Sequence, residues 1–124
     1  MKKILVDTNC IIYIVKNKID FFEEINKLIQ EPFEIYVTES VINELEKIST
    51  KKTKNSMFAR IALMIIKKNK FKIIKGKYMN ADKDILYITN KNWIVITNDK
   101  RLKRLLSQKN TRAISVREFV KIDF

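Results

Sequence analysis

Histidine is absent from this chain of 124 residues, and cysteine, glycine and proline occur once each. Without histidine, serine–histidine and cysteine–histidine catalysis, histidine-containing zinc sites and any imidazole proton transfer are excluded. A lone cysteine, Cys10, excludes a disulfide within the chain. Its place in an apolar run points to a small buried thiol in a reduced, intracellular setting. One glycine and one proline leave no flexible linker, so regular elements follow one another closely. No run approaches the roughly 20 apolar residues of a membrane span. Met1-Lys2-Lys3 before apolar residues imitates a signal peptide, but Asp7 and Asn9 interrupt the apolar stretch and no small-residue cleavage site follows. These absences predict a cytoplasmic protein.

Acid is scarce too. The chain carries 26 basic and 14 acidic side chains, a net charge of +12. Such an excess points to a polyanionic partner, nucleic acid foremost, because phosphate contacts release counterions. A Lys-, Ile- and Asn-rich coding bias would give the same excess. An apolar fraction of 46% argues against disorder and for one packed domain over residues 1–124.

Short β-branched runs predict strands at 3–6, 34–37, 71–74, 93–97 and 112–115. Helical spacing predicts helices at 10–16, 20–30, 38–48, 57–69, 82–90 and 99–108. Their alternation predicts an α/β fold of βαβ units with right-handed crossovers. Its central parallel sheet has four or five strands within a three-layer α/β/α sandwich. The stretch "STKKTKNS" reads as a basic loop, and "SVREFVKIDF" as a short helix or an extended arm packing Val116, Phe119 and Val120.

The acids fall at recurring places on this outline. Asp7 ends the first strand in "KILVDTNCII", and Asp99 follows the fourth in "WIVITNDKRL". Asp82 and Asp84 open a helix in "NADKDILYI", and Glu44 lies on the helix after the second strand, near its buried edge. As single residues these have ordinary explanations: Asp7, Asp82 and Asp99 as helix caps, Glu44 as a solvated helix residue. Their coincidence points further, to the carboxyl edge of a parallel sheet, where open α/β sheets place ligands. Like charges gathered there need a cation, and oxygen-only ligands favour Mg²⁺ or Mn²⁺ over zinc.

In this order the chain resembles the PIN domain nucleases. "LVDTN", "SVINELEKI", "ADKDIL" and "ITNDKRLKRLL" correspond to the family's four acid-bearing segments, and the resemblance covers nearly the whole chain. It is greatest to the archaeal and eukaryotic ribosomal-RNA-processing branch; the bacterial toxin branch shares the same acids. Close relatives often have two adjacent aspartates where Lys83 here separates Asp82 from Asp84. Asp82 has an aliphatic residue, Ile85, three positions on, as the family pattern requires, and ranks as the ligand. Asp84 ranks as a helper or second ligand.

The resemblance implies a metal-dependent endoribonuclease with catalytic Asp7, Glu44, Asp82 and Asp99. Asp7, Glu44 and Asp99 would hold a principal Mg²⁺ or Mn²⁺, with Asp82 and Asp84 anchoring a second ion or the attacking water. Thr8, Asn9, Thr97 and Asn98 would orient carboxylates and water. Lys51, Lys52 and Lys54, with Lys100, Arg101, Lys103 and Arg104, would meet the RNA backbone; such contacts position a strand without reading its sequence. Tyr36, Tyr78, Tyr87 and Trp93 offer stacking surfaces, although their places in strands and helices favour core packing.

Ribosomal RNA or its precursor is the expected partner, with a homodimer compatible with the family. An antitoxin partner would follow from the toxin branch. Two other classes compete. A module that binds RNA without cutting it would gain nothing from acids where phosphate must sit. A small-molecule phosphohydrolase would want a phosphate-cradling loop, but "GxxxxGK[ST]" is absent and Gly76 stands alone.

Overall fold

The structure is a computed structural model and describes residues 1–118. Five parallel strands form one sheet: β1 (Lys2–Val6), β2 (Phe33–Thr38), β3 (Lys72–Ile74), β4 (Trp93–Ile96) and β5 (Arg112–Ile114). Their order across the sheet is β3-β2-β1-β4-β5. Between them run α1 (Thr8–Lys16), α2 (Phe21–Ile29), α3 (Glu39–Ser49), α4 (Lys54–Lys68), α5 (Ala81–Ile88) and α6 (Lys100–Gln108).

Strand side chains alternate between two cores, which sorts the helices into layers. Ile4 and Val6 of β1, with Ile94 and Ile96 of β4, pack with α1 to α4. Leu5 and Val95 face the other way, onto Ile85 of α5 and Leu102 and Leu106 of α6. The three-layer α/β/α sandwich expected from the sequence is therefore present. Because both faces are covered, the inner strands read as continuous apolar runs.

Three helices end alike. The N–H groups of Ile19, Phe71 and Thr111 reach back to the carbonyls of Ile14, Ile66 and Leu106 at 3.1, 3.0 and 2.9 Å. The residue before each, Lys18, Lys70 and Asn110, has a positive φ of 53°, 54° and 58°. These are Schellman closures in which a lysine or asparagine takes the position that glycine favours.

Most element bounds fall within one or two residues of expectation, and the start of α4 differs most. α4 begins at Lys54, not 57, so only residues 50–53 of the basic stretch lie outside helices. The Ser56 hydroxyl and N–H both bond the Thr53 carbonyl, at 2.6 and 3.1 Å, and this closes a first turn from polar residues. At the other end Val116–Glu118 forms a single 3₁₀ turn with Val116 fully buried; Phe119 and Val120 lie outside the described residues. No helix among the described residues is long and apolar enough to cross a membrane.

Candidate active site at the carboxyl edge of the sheet

The chain builds outward from β1 to β2 and β3, then returns to the other side of β1 for β4 and β5. The reversal lies between β1 and β4, so their carboxyl ends open a crevice. Asp7 directly follows β1 and Thr97 directly follows β4. The Asp7 N–H bonds the Ile96 carbonyl at 3.1 Å, and the Thr97 hydroxyl donates to Asp7 Oδ2 at 3.1 Å. Asp7 Oδ1 accepts the Thr8 N–H at 2.8 Å. Asp7 caps α1, as one ordinary reading requires, yet it is 94% buried where β1 and β4 end (6% exposed).

Burial pushes the Asp7 carboxyl up to about 6. The charges of Asp82 and Glu44 push the same way, against the lowering effect of the Thr8 and Thr97 bonds. Asp82, half-buried in the first turn of α5, is raised by desolvation and then by Asp99 and Glu44, while Arg101 lowers it. Asp82 thus feels two other acids and itself acts on Asp7. Its helix is capped by Asn80, whose Oδ1 accepts the Lys83 N–H at 3.0 Å, so capping does not explain Asp82. Asp99 does cap: its Oδ1 accepts the Leu102 N–H at 3.0 Å, and its own N–H bonds the Thr97 hydroxyl at 3.1 Å. Glu44 is exposed on α3, not held at a buried edge, and lines an open cleft of about 630 Å³ with Asn43, Lys47, Met79 and Asn80.

Asp84 does not join this group. It is fully buried, its Oδ1 accepts the N–H groups of Lys77 and Tyr78 at 2.9 and 2.7 Å, and its Oδ2 accepts the Ser40 hydroxyl at 2.8 Å. Burial alone would raise its carboxyl, but these bonds, with one from the Asn80 N–H, hold it below the usual range. Four such bonds take up the acceptor capacity of a carboxylate, whereas Asp7 accepts only two, so the expected helper or second ligand is an anchor for the 75–80 segment. Gly76 fits here because a Cβ would collide with the Asp84 carboxyl. Asp82 and Asp84 lie two residues apart, about 200° around the helix, and so face different surroundings.

The polar neighbours divide similarly. Thr97 touches both Asp7 and Asp99. The Thr8 hydroxyl is buried beside Asp7 and has no protein partner. Asn98 turns away, with its Oδ1 accepting the Ser115 hydroxyl and the Arg117 N–H, and Asn9 is exposed. Lys51, Lys52, Lys54, Lys100, Arg101 and Arg104 are exposed and Lys103 is half-buried. The Cys10 thiol is driven up to about 12 by burial and by Asp7, so it is inert.

Among the described residues, no three of Asp, Glu, Cys or His stand close enough to enclose an ion by themselves. The arrangement instead suits a hard cation that keeps several waters and takes only one or two carboxylates directly. The donors are all oxygens, their negative charge is uncompensated at Asp7, and an unpartnered hydroxyl lies beside it. The residues therefore fit hydrated Mg²⁺ or Mn²⁺.

Known proteins share this architecture. The chain is 37% identical over 123 residues to ribonuclease VapC4 of Methanocaldococcus jannaschii, covering 95% of this chain and 92% of that protein. It is 33% identical over 107 residues to the rRNA-processing protein fcf1 of Schizosaccharomyces pombe. That match covers 82% of this chain but 51% of fcf1, so the chain spans about half of that relative's length. The solved structure of the PIN domain endonuclease Utp24 superposes with a TM-score of 0.76 at 28% identity, over 98% of this chain and 96% of that one. Residues 4–119 match the family model described as PIN like domain. Both branches suggested by the sequence are represented, and the chain belongs to the PIN-like domain family.

Proposed function

We propose that this chain is a divalent-metal-dependent endoribonuclease acting on ribosomal RNA or its precursor. One observation carries the reading: Asp7, buried at the sheet reversal, is pushed to about 6 by burial and by neighbouring acids in a chain of net charge +12. A cluster left electrically unbalanced in so basic a protein calls for a cation. Asp7, Glu44, Asp82 and Asp99 would hold hydrated Mg²⁺ or Mn²⁺, one or two of them directly and the others through its waters; the ion when bound acidifies water and offsets charge on the phosphoryl oxygens.

The chain's own groups do the positioning. The Thr8 N–H and the Thr97 hydroxyl fix the two Asp7 oxygens, and Thr97 ties Asp99 to the same point. Asp82, which senses Asp99 and Glu44, orients the attacking water, and Arg101 beside it meets the phosphate. Lys51, Lys52, Lys54, Lys100, Lys103 and Arg104 hold the strand's backbone. The ribosomal role draws support from the large positive charge and from the likeness to fcf1, and the endonuclease activity from the likeness to Utp24.

A second reading, a toxin ribonuclease with an antitoxin partner, draws support from the VapC4 likeness over 92% of that protein. Cleavage of structured and single-stranded RNA by wild type and Asp7→Asn, with Mn²⁺ and with a chelator, tests the chemistry. Divalent-dependent cleavage that falls at least 100-fold in Asp7→Asn is expected; undiminished cleavage by the variant contradicts it. Arrest of a bacterial host by wild type but not by Asp7→Asn would favour the toxin reading over the ribosomal one.

A further inference from the structure

We infer that Tyr78 and Tyr87 form a stacking platform for one unpaired nucleobase of a bound RNA strand; this rests on the ribonuclease reading above. The two tyrosines are 50% and 57% exposed, and they are the only exposed aromatic residues among those described. Tyr36 and Trp93, also named from the sequence, pack edge-to-face in the core with ring centres 5.0 Å apart. Tyr78 and Tyr87 meet edge-to-face at 5.8 Å and 87°, and about half of each residue stays exposed.

The platform is held from below. Asp84 binds the backbone N–H groups of Lys77 and Tyr78, and Gly76 lets the segment lie against that carboxylate. Next to it Met79 has a positive φ of 52° and is 84% exposed, a costly backbone state for a bulky residue and an apolar surface without cover. The surroundings suit a polyanion. Lys77 Nζ lies 5.7 and 5.5 Å from the two ring centres, and Lys75 and Lys83 are exposed. Among the described residues no ion pair engages these three lysines.

The segment that follows Tyr78 adjoins the proposed site. Met79, Asn80 and Ala81 wall the cleft that contains Glu44. Tyr87 is on the same helix as Asp82, about 7.5 Å further along its axis and about 140° around it. A base lifted from a single strand can stack on an aromatic face whatever its identity, whereas a duplex keeps its bases inside.

The test is binding of the full chain to a fluorescein-labelled 12-nucleotide single strand of RNA and to the same sequence as a duplex. Measurements are made in chelator, where hydrolysis does not intervene. Tyr78→Ala and Tyr87→Ala are expected to weaken single-strand binding about tenfold each, to leave duplex binding unchanged, and to be rescued by Tyr→Phe. Should an alanine variant fail to fold, abasic substitutions along the strand carry the test with wild-type protein. One or two positions should lose about tenfold. Unchanged binding in the alanine variants, or no abasic-sensitive position, overturns the platform, and so does a preference for duplex. Hydrolysis in Mn²⁺ is read separately: a chain that binds as predicted but never cleaves loses the ribonuclease reading and keeps the platform.

Discussion

The Thr97 hydroxyl donates to Asp7 Oδ2 at 3.1 Å across 90 positions of sequence, joining the ends of β1 and β4 at the point where the sheet reverses. The same oxygen of Thr97 accepts the Asp99 N–H. One buried hydroxyl therefore sets both the first and the last acid of the proposed site. Thr97→Val keeps the side-chain volume and removes these bonds. It should lower RNA cleavage about 10–100-fold, as loss of a group that orients metal-holding carboxylates does. Because the Thr97 bond lowers the Asp7 carboxyl, the acid limb of the pH–rate profile should also move to higher pH. An unmoved acid limb would reduce Thr97 to a packing residue.

Asp7 reaches about 6 in the fold against 3.8 for an ordinary aspartate, so the folded chain holds this proton more tightly than the unfolded chain. Its stabilising share is whole below pH about 4 and is lost as pH rises through about 6. Above that, the ionised carboxylate opposes folding unless a cation is present. Asp7→Asn should therefore stabilise the metal-free protein at pH 7.5 by about 1–3 kcal/mol, with the gain shrinking towards zero at pH 4. Thermal melts in chelator across this range decide it, and a variant less stable at every pH contradicts it.

Asp84 should respond with the opposite sign. Its folded carboxyl lies below the usual range, so its contribution is present above about pH 4 and is lost as pH falls. Asp84→Asn and Gly76→Ala should each cost about 2–4 kcal/mol, one by breaking a buried bonding centre and the other by forcing a side chain into it. Urea denaturation at pH 7.5 measures both. If Asp84→Asn stabilised the metal-free chain as Asp7→Asn should, Asp84 would belong with the acid cluster after all.

The contrast between these two aspartates shows what the sequence made legible. Five strands and six helices were readable because β-branched runs and helical spacing are local. The reversal of the sheet makes Asp7 and Asp99 neighbours of the same crevice, and this follows from strand order once the fold is known. The fate of Asp84 was harder to read, since its partners Ser40, Lys77 and Tyr78 come from other segments. Two signals pointed towards it: the i, i+2 spacing from Asp82, and the chain's single glycine eight residues upstream. Asn98 looked equivalent to Asn9 by its neighbours, yet Ser115, 17 residues on, turns it away from the acids. The exposure of Tyr87 has a local cause, because it lies two residues from fully buried Ile85 and so on another side of α5.

Glycine scarcity has its own consequence. Lys70 closes α4 with φ at 54°, where a side chain costs roughly 1–2 kcal/mol relative to glycine. Lys70→Gly should stabilise the fold by about 0.5–1 kcal/mol, the remainder being lost to unfolded-state entropy. Lys67→Gly, within the last turn of the same helix, should destabilise by a similar amount. Equal urea midpoints for the two variants would contradict the Schellman assignment.

The most direct test of the acid cluster is a Mn²⁺ titration of the wild-type chain and of Asp7→Asn, with free ion followed by electron paramagnetic resonance. Saturable binding of one or two ions to wild type, lost or at least tenfold weaker in Asp7→Asn, is the predicted result. No saturable binding to wild type, or identical binding by both proteins, would contradict it.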